Sequence, residues 1–299
     1  MSLCINPRCS QPDHPENGLN RTCQACGSDL LLQGRYRVMR LISNQSGFGQ
    51  VYEAYERNVP KILKVLKESH TANAKVLELF QREALVLSRL NHPGVPQVEP
   101  DGYFVYRPEG INFPLHCIVM ERIDGPNLKQ WMVQQGNHPV IEQQALLWLA
   151  QLTDVLHLVH QQNYFHRDIK PENVMLRSSG QLVLVDFGAA REMTDTYLAH
   201  LGSSGITTVS SAGYTPPEQE QGQAVPQSDF YALGRTIIYL LTAKTPNDPT
   251  IYDSRTNAFN WRSHASHISP AFAQLIDDLI ATRAVDRPQT TQAILERLA

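Results

Sequence analysis

The chain lacks any long apolar run. Its greasiest stretches are 145–160, interrupted by Gln151, Thr153, Asp154 and His157, and 237–243. A membrane-spanning helix needs about 20 predominantly apolar residues, so no membrane segment is expected. It also lacks an excess of either charge. Lys+Arg 26 against Asp+Glu 29 leaves a net charge of −3, which gives no basic field for nucleic acid or anionic lipid. No basic stretch followed by an apolar one opens the chain, so a targeting segment is not expected and a cytoplasmic location is. Cysteine is scarce and unevenly placed: four of the five lie within the first 26 residues. What is present is ordinary globular composition, 42% hydrophobic over 299 residues, enough for one large domain or two smaller ones. The chain stops at Ala299 within a helical pattern, which suits a piece of something longer.

The four early cysteines read Cys4-x4-Cys9-x13-Cys23-x2-Cys26-Gly27. Two close pairs on a short segment suit a tetrahedral Zn²⁺ with four thiolate ligands, with Gly27 giving turn freedom after the second pair. Residues 1–33 otherwise offer little to bury and cannot hold a fold by burial alone, whereas a structural zinc contributes roughly 10–16 kcal/mol in small fingers. A redox dithiol pair and two structural disulfides are the rival readings, and four thiolates suit iron as well as zinc. His14 is a substitute ligand. Cys117, in an apolar run, reads as a buried inert thiol.

Beyond residue 34, short strands are expected near 38–42, 51–55 and 62–66, and again at 115–121. A helix is expected over 74–90, where Val76, Leu77, Phe80, Ala84, Leu87 and Leu90 keep helical spacing. Helical patterns dominate from Ile141 on. The order is a small β-rich region followed by a larger helical one.

The stretch His166-Arg167-Asp168-Ile169-Lys170-Pro171-Glu172-Asn173, followed eighteen residues after Asp168 by Asp186-Phe187-Gly188, resembles the catalytic core of the protein-kinase family. The resemblance implies an α+β, bilobal protein-kinase fold over residues 34–299, with a small β-rich lobe at about 34–121 and a large helical lobe at about 125–299. A zinc-ribbon-like motif at 1–33 precedes it. It implies ATP with Mg²⁺ or Mn²⁺, and protein substrates phosphorylated on Ser or Thr. Asp168 would accept the proton of the incoming hydroxyl. Asn173 and Asp186 would ligate Mg²⁺, and Lys170 would touch the transferred phosphate. Lys64 is the expected phosphate-gripping strand lysine, preferred over Lys61 and Lys67, and Glu83 its helix partner. Gly49, Val51 and Ile62 would line the nucleotide, and Met120-Glu121-Arg122-Ile123 resembles the hinge, with the Glu121 and Ile123 backbones on adenine. Asp124 and Asn127 are either ribose contacts or turn residues. Ser211 would line the peptide site. Glu218 would pair with Arg287, and Asp229 would anchor the catalytic loop. A kinase with a short four-cysteine head is similar to certain cyanobacterial serine/threonine kinases.

The sequence departs from the family at the glycine loop, where Asn44 and Ser46 replace the first two glycines and only Gly49 stands in register. Ile62 replaces the small residue that usually roofs adenine. Both put ATP affinity in doubt, and a pseudokinase or nucleotide-binding scaffold stays open as the alternative. All five essential groups are nonetheless present: Lys64, Glu83, Asp168, Asn173 and Asp186. Arg167 and Arg191 are expected to form a basic pocket for a phosphorylated activation-segment residue, Thr207 first and Thr208 next. The connection after Cys26 contains Leu30, Leu31 and Leu32, so the head is expected to pack on the small lobe rather than hang from a flexible linker.

Overall fold

The computed structural model describes residues 2–44, 49–189, 191–192, 211–253, 255 and 258–298. The expected phosphosites Thr207 and Thr208, the loop residue Ser46 and the side chain of Arg191 lie outside the described residues. The chain divides into two compact units, Met1–Asn91 with Pro96–Arg122, and His92–Val95 with Ile123–Ala299.

The first unit is built on a six-stranded sheet with every neighbouring pair antiparallel. Its strands are β1 (Leu31–Leu32), β2 (Tyr36–Ser43), β3 (Gly49–Glu56), β4 (Val59–Leu66), β5 (Tyr103–Tyr106) and β6 (Leu115–Glu121), in the order β1-β2-β3-β4-β6-β5. Period-two alternation sends Leu63 and Val65 into a core with Tyr36, Val38, Ala54, Phe104 and Cys117, and turns Ile62 and Lys64 to the other face. Between β4 and β5 lie a short α1 (Glu68–Thr71) and α2 (Ala74–Arg89). Asn73 caps α2 by accepting hydrogen bonds from the backbone N–H groups of Lys75 and Val76. The buried face of α2 carries Val76, Phe80, Ala84 and Leu87, and Glu83 sits among them. Cys117 is fully buried, and burial pushes its thiol pKa up, as expected of an inert core cysteine.

The cysteine head belongs to this unit. Ile5 and Leu32 enter the sheet's core, and the Leu3 N–H donates to the Val38 carbonyl at 2.8 Å. Asn6 Nδ2 donates to the Glu109 carbonyl at 2.9 Å, and the Tyr106 hydroxyl to the Asp29 carbonyl at 2.8 Å. The leucines after Cys26 are therefore packing residues: Leu30 and Leu32 are each 1% exposed.

The second unit is mainly helical. It contains α3 (Leu128–Gln134), α4 (Glu142–Gln161), α5 (Pro217–Glu220), α6 (Pro226–Thr242), α7 (Pro270–Leu279) and α8 (Thr291–Leu298). Its short strand pairs are β7 (Tyr164–Phe165) with β10 (Arg191–Glu192), β8 (Val174–Leu176) with β9 (Leu182–Leu184), and β11 (Tyr252–Asp253) with β12 (Ala258–Phe259). Almost the whole length of α6 is buried, which makes it the post to which the surrounding loops are tied. Among the described residues no helix is long and apolar enough to cross a membrane.

Candidate active site

In the small unit, β4 carries Lys64 opposite Val51 of β3 and Ile118 of β6. Its Nζ meets both carboxylate oxygens of Glu83 at 2.8 Å. The residues are 6% and 2% exposed, so the pair is held in a low-dielectric setting where a lone charge would be costly. The rival Lys61 points elsewhere, to Glu99 at 3.3 Å. Gly49 lies close beneath the lysine: a Cβ there would stand 3.0 Å from Lys64 Cγ and 3.2 Å from Cε, so a larger residue would make that side chain shift by a few tenths of an ångström. Ile62 faces Met120 across β4–β6. The Glu121 N–H donates to the Gln97 carbonyl at 2.8 Å.

In the helical unit, the β8–β9 hairpin sets Asn173 just before one strand and Asp186 just after the other, locked by a Val185 N–H donating to the Asn173 carbonyl at 2.9 Å. Asp168 is the hub. Its carboxylate accepts from Lys170 Nζ at 2.8 and 3.0 Å, from Asn173 Nδ2 at 2.9 Å and from the Ser211 hydroxyl at 2.6 Å. Lys170 also donates to Ser211 Oγ at 2.9 Å. Arg167 and Asp186 both adopt left-handed backbone, φ 71° and 64°. Such conformations in residues bearing a Cβ persist only where surrounding contacts hold them.

For Arg167 those contacts centre on Asp229 of α6, which is fully buried. It accepts the His166 N–H at 2.8 Å, the Arg167 N–H at 2.7 Å and His160 Nε2 at 2.9 Å. Burial alone would raise its pKa, but these donors outweigh burial and hold the carboxyl below its usual range. His166 is fully buried and its pKa is lowered by that burial. Its ring meets Phe187 edge-on at 4.7 Å. Farther along, Glu218 accepts two bonds from Arg287 at 2.6 and 3.0 Å and one from Ser228 at 2.7 Å.

Asn127 caps α3 in a reciprocal box with Gln130, and Asp124 accepts from Ser178 at 2.6 Å. Both thus have turn and cap partners. Three contributors had no sequence signal, two of them buried (Gln219 and Arg235) and one, His160, partly so. They are His160 on Asp229, Gln219 Nε2 donating to the Arg167 carbonyl at 2.7 Å, and Arg235 donating to the Gly213 carbonyl. Their spacing on helices is readable, but the loop they meet is not.

The four head cysteines bring their Sγ atoms within 4.8 Å of one another. Cys4–Cys26 and Cys9–Cys23 are each 3.6 Å apart, close to the roughly 3.8 Å edge of a tetrahedron with 2.3 Å metal–sulfur bonds. Asn6 and Asn17 direct Nδ2 at Cys26 Sγ (3.6 Å) and Cys23 Sγ (3.7 Å), the kind of outer contact that steadies thiolate ligands. As free thiols the cysteines differ: burial pushes the pKa of Cys4 up and that of Cys9 up to about 11, whereas at Cys26 burial is outweighed by hydrogen bonds with Ser28 and neighbouring thiols, which bring it down to about 7. The spacing of the four sulfurs and the Asn6 and Asn17 contacts fit a four-thiolate metal. His14 instead accepts the Glu16 N–H at 3.2 Å as a local cap.

Comparison with known proteins agrees with this geometry. The family model for the protein kinase domain matches residues 44–298. Serine/threonine-protein kinase B of Synechocystis sp. is 34% identical over 315 residues, covering 100% of this chain and 52% of the relative. Serine/threonine-protein kinase F of the same organism is 34% identical, over 98% and 62% respectively. Serine/threonine-protein kinase PknA of Nostoc sp. is 34% identical, over 90% and 48%. The chain belongs to the protein kinase domain family, among bacterial kinases of eukaryotic type. It spans about half to three fifths of the length of these relatives.

Proposed function

We propose that the chain is an active, non-specific serine/threonine protein kinase that transfers the γ-phosphoryl group of ATP to hydroxyls of protein substrates. The observation that carries this is the Asp168 carboxylate gathered with Lys170, Asn173 and Ser211 within 3.0 Å. Phosphoryl transfer needs positioning and charge neutralisation more than covalent help. Asp168 orients the acceptor hydroxyl and takes its proton. Lys170, two residues on, offsets negative charge arriving on the transferred group. Lys64, steadied by Glu83, grips the nucleotide phosphates. The backbones of Glu121 and Ile123 hold adenine, while Gly49, Val51, Ile62 and Met120 wall it.

Asn173 uses its Nδ2 on Asp168, at the side chain and at the backbone carbonyl at 2.8 Å, which leaves Oδ1 as its ligand atom. Together with the Asp186 carboxylate this is a hard-oxygen set that fits Mg²⁺ or Mn²⁺, whose charge would neutralise the phosphates. Asp229 and the Glu218–Arg287 pair are structural supports of the loop and of the 211–220 segment. Arg167 and Arg191 receive a phosphate on Thr207 or Thr208 after autophosphorylation. Residues 1–33 are a zinc-bound head on a kinase domain at 34–299. Its thiolates suit the reducing cytoplasm, where ATP is also supplied.

The altered glycine loop and Ile62 favour a second reading, a nucleotide-binding signalling scaffold. The two are separated by transfer of labelled phosphate from Mg-ATP to the protein and to a generic basic substrate, with Asp168→Asn as control. Transfer by the wild type alone is expected. Nucleotide binding without transfer in either protein would replace this reading with the scaffold.

A further inference from the structure

The segment after residue 210 that carries Ser211 is a closed turn. The Tyr214 and Thr215 N–H groups donate to the Ser211 carbonyl at 2.9 and 3.1 Å, and the Ser211 N–H donates to Thr215 Oγ1 at 2.7 Å. At its middle, Gly213 has φ 81°, and a Cβ there would press to 2.6 Å from Pro246 Cβ and 2.8 Å from Asn247 Oδ1. Only glycine fits this corner. Its carbonyl accepts a hydrogen bond from Arg235 Nε at 2.8 Å.

Arg235 is an unusual residue for the middle of a buried helix. It lies on α6, 5% exposed, and aromatic rings surround its guanidinium. Phe259 lies 3.7 Å from its Cζ, Tyr231 5.3 Å and Tyr252 5.9 Å. Tyr252 and Phe259 are register partners across the β11–β12 hairpin, so that hairpin presents both rings to one cation. Burying a guanidinium is costly, and ring faces with a carbonyl offset part of that cost. Tyr231 is shared, since the Arg287 guanidinium stands 5.0 Å from the same ring while holding Glu218. The two arginines thus secure the two ends of the 211–220 segment, one at the Gly213 carbonyl and the other at Glu218.

We infer that Arg235, caged by Tyr231, Tyr252 and Phe259, is a positioning residue that fixes the 211–215 turn, and through Ser211 sets how the acceptor polypeptide is presented to Asp168. This rests on the kinase reading for its consequence, though the clamp itself is structural. Arg235 touches neither nucleotide-gripping nor proton-accepting groups, so its effect falls on the protein acceptor and not on ATP. Lysine cannot replace it, because an ammonium lacks the planar guanidinium that stacks on Phe259 while aiming one donor at Gly213.

The test compares wild type with Arg235→Met, Arg235→Lys and Phe259→Leu. The readouts are KM for a basic protein acceptor, KM for ATP, the rate of ATP hydrolysis to water, and amide hydrogen exchange at Tyr214 and Thr215. Arg235→Met is expected to raise the acceptor KM about tenfold or more, the scale of one charge-assisted hydrogen bond. ATP KM should stay within about twofold, and hydrolysis, which also uses the Asp168–Ser211 contact, should change less than the acceptor KM, with faster exchange at Tyr214 and Thr215 and unchanged exchange in β8 and β9. Arg235→Lys should restore less than half of the loss. Phe259→Leu, on a half-buried ring outside α6, should give a smaller shift of the same kind and decides the matter if Arg235→Met does not fold. Unchanged acceptor KM and unchanged exchange at the turn would overturn the inference, as would equal rises in both KM values. Absence of transfer by the wild type, with the exchange result as expected, would sink the kinase reading and leave the clamp standing.

Discussion

Asp229→Asn removes a charge while keeping shape, and the structure lets its cost be worked out. Three donors enter one fully buried carboxylate: the N–H groups of His166 and Arg167, and His160 Nε2. Asparagine has one oxygen and one donating NH₂. If the oxygen keeps His166 and His160, the amide NH₂ meets the Arg167 N–H donor to donor. One charge-assisted bond is lost, about 1.5–3 kcal/mol, and a buried donor is left unsatisfied at a further 1–3 kcal/mol or so before relaxation. A net destabilisation of about 3 kcal/mol is expected, read by urea denaturation followed on the helical unit. The effect has a pH signature. The folded Asp229 pKa is depressed, so its contribution is complete above the unfolded value of about 3.9 and is lost as pH falls through the folded value. The stability gap between wild type and variant should therefore hold from neutral pH to roughly pH 5, begin to narrow near about pH 4 and go on narrowing as pH falls through the folded pKa. Transfer activity should also fall, because His166 and Arg167 lead directly into Asp168. A variant within about 0.5 kcal/mol of wild type, or a gap unaffected by acid, would refute the anchoring argument.

Ile62→Ala should lower the ATP KM by roughly three- to tenfold if the branched side chain crowds the adenine, measured by steady-state kinetics; no change would clear Ile62 of that role. Elemental analysis of the purified protein should show one zinc per chain, and Cys23→Ser or chelation should lower the melting temperature of the small unit; a metal-free protein of equal stability would discard the metal head. Arg287→Met should cost about 3–5 kcal/mol, because Glu218 would lose both guanidinium bonds from a side chain that is itself fully buried. A loss below about 1 kcal/mol would mean that Ser228 suffices.

Much of the candidate site is legible in the sequence itself, for a local reason. Asp168, Lys170 and Asn173 lie within six residues, and such a loop brings its own side chains together. The alternation around Lys64 marks a strand. The periodicity of 74–90 places Glu83 on the inward face and overruns the helix end at Arg89 by one residue. Strand cores are found but cut short: β2 runs Tyr36–Ser43 and β4 begins at Val59, because edge residues pair without needing to be apolar. The role of Asn127 cannot be chosen from sequence, since cap and ligand ask for the same side chain. In the described geometry the side chain caps α3.

Sequence alone therefore determined the residue types of the chemistry, the split between a strand-rich and a helical region, and the four thiols of the head, because each is written in spacings of a few residues. Tertiary structure decided what spacing cannot encode. It brought the head's Ile5 into the sheet core, and His160 to Asp229 across 69 positions. It set Arg235 between a hairpin's rings and the carbonyl of Gly213, 22 positions upstream. A buried carboxylate or guanidinium takes whichever donors, acceptors and rings the folded chain brings within about 3–6 Å, and that neighbourhood exists only once the helices have packed.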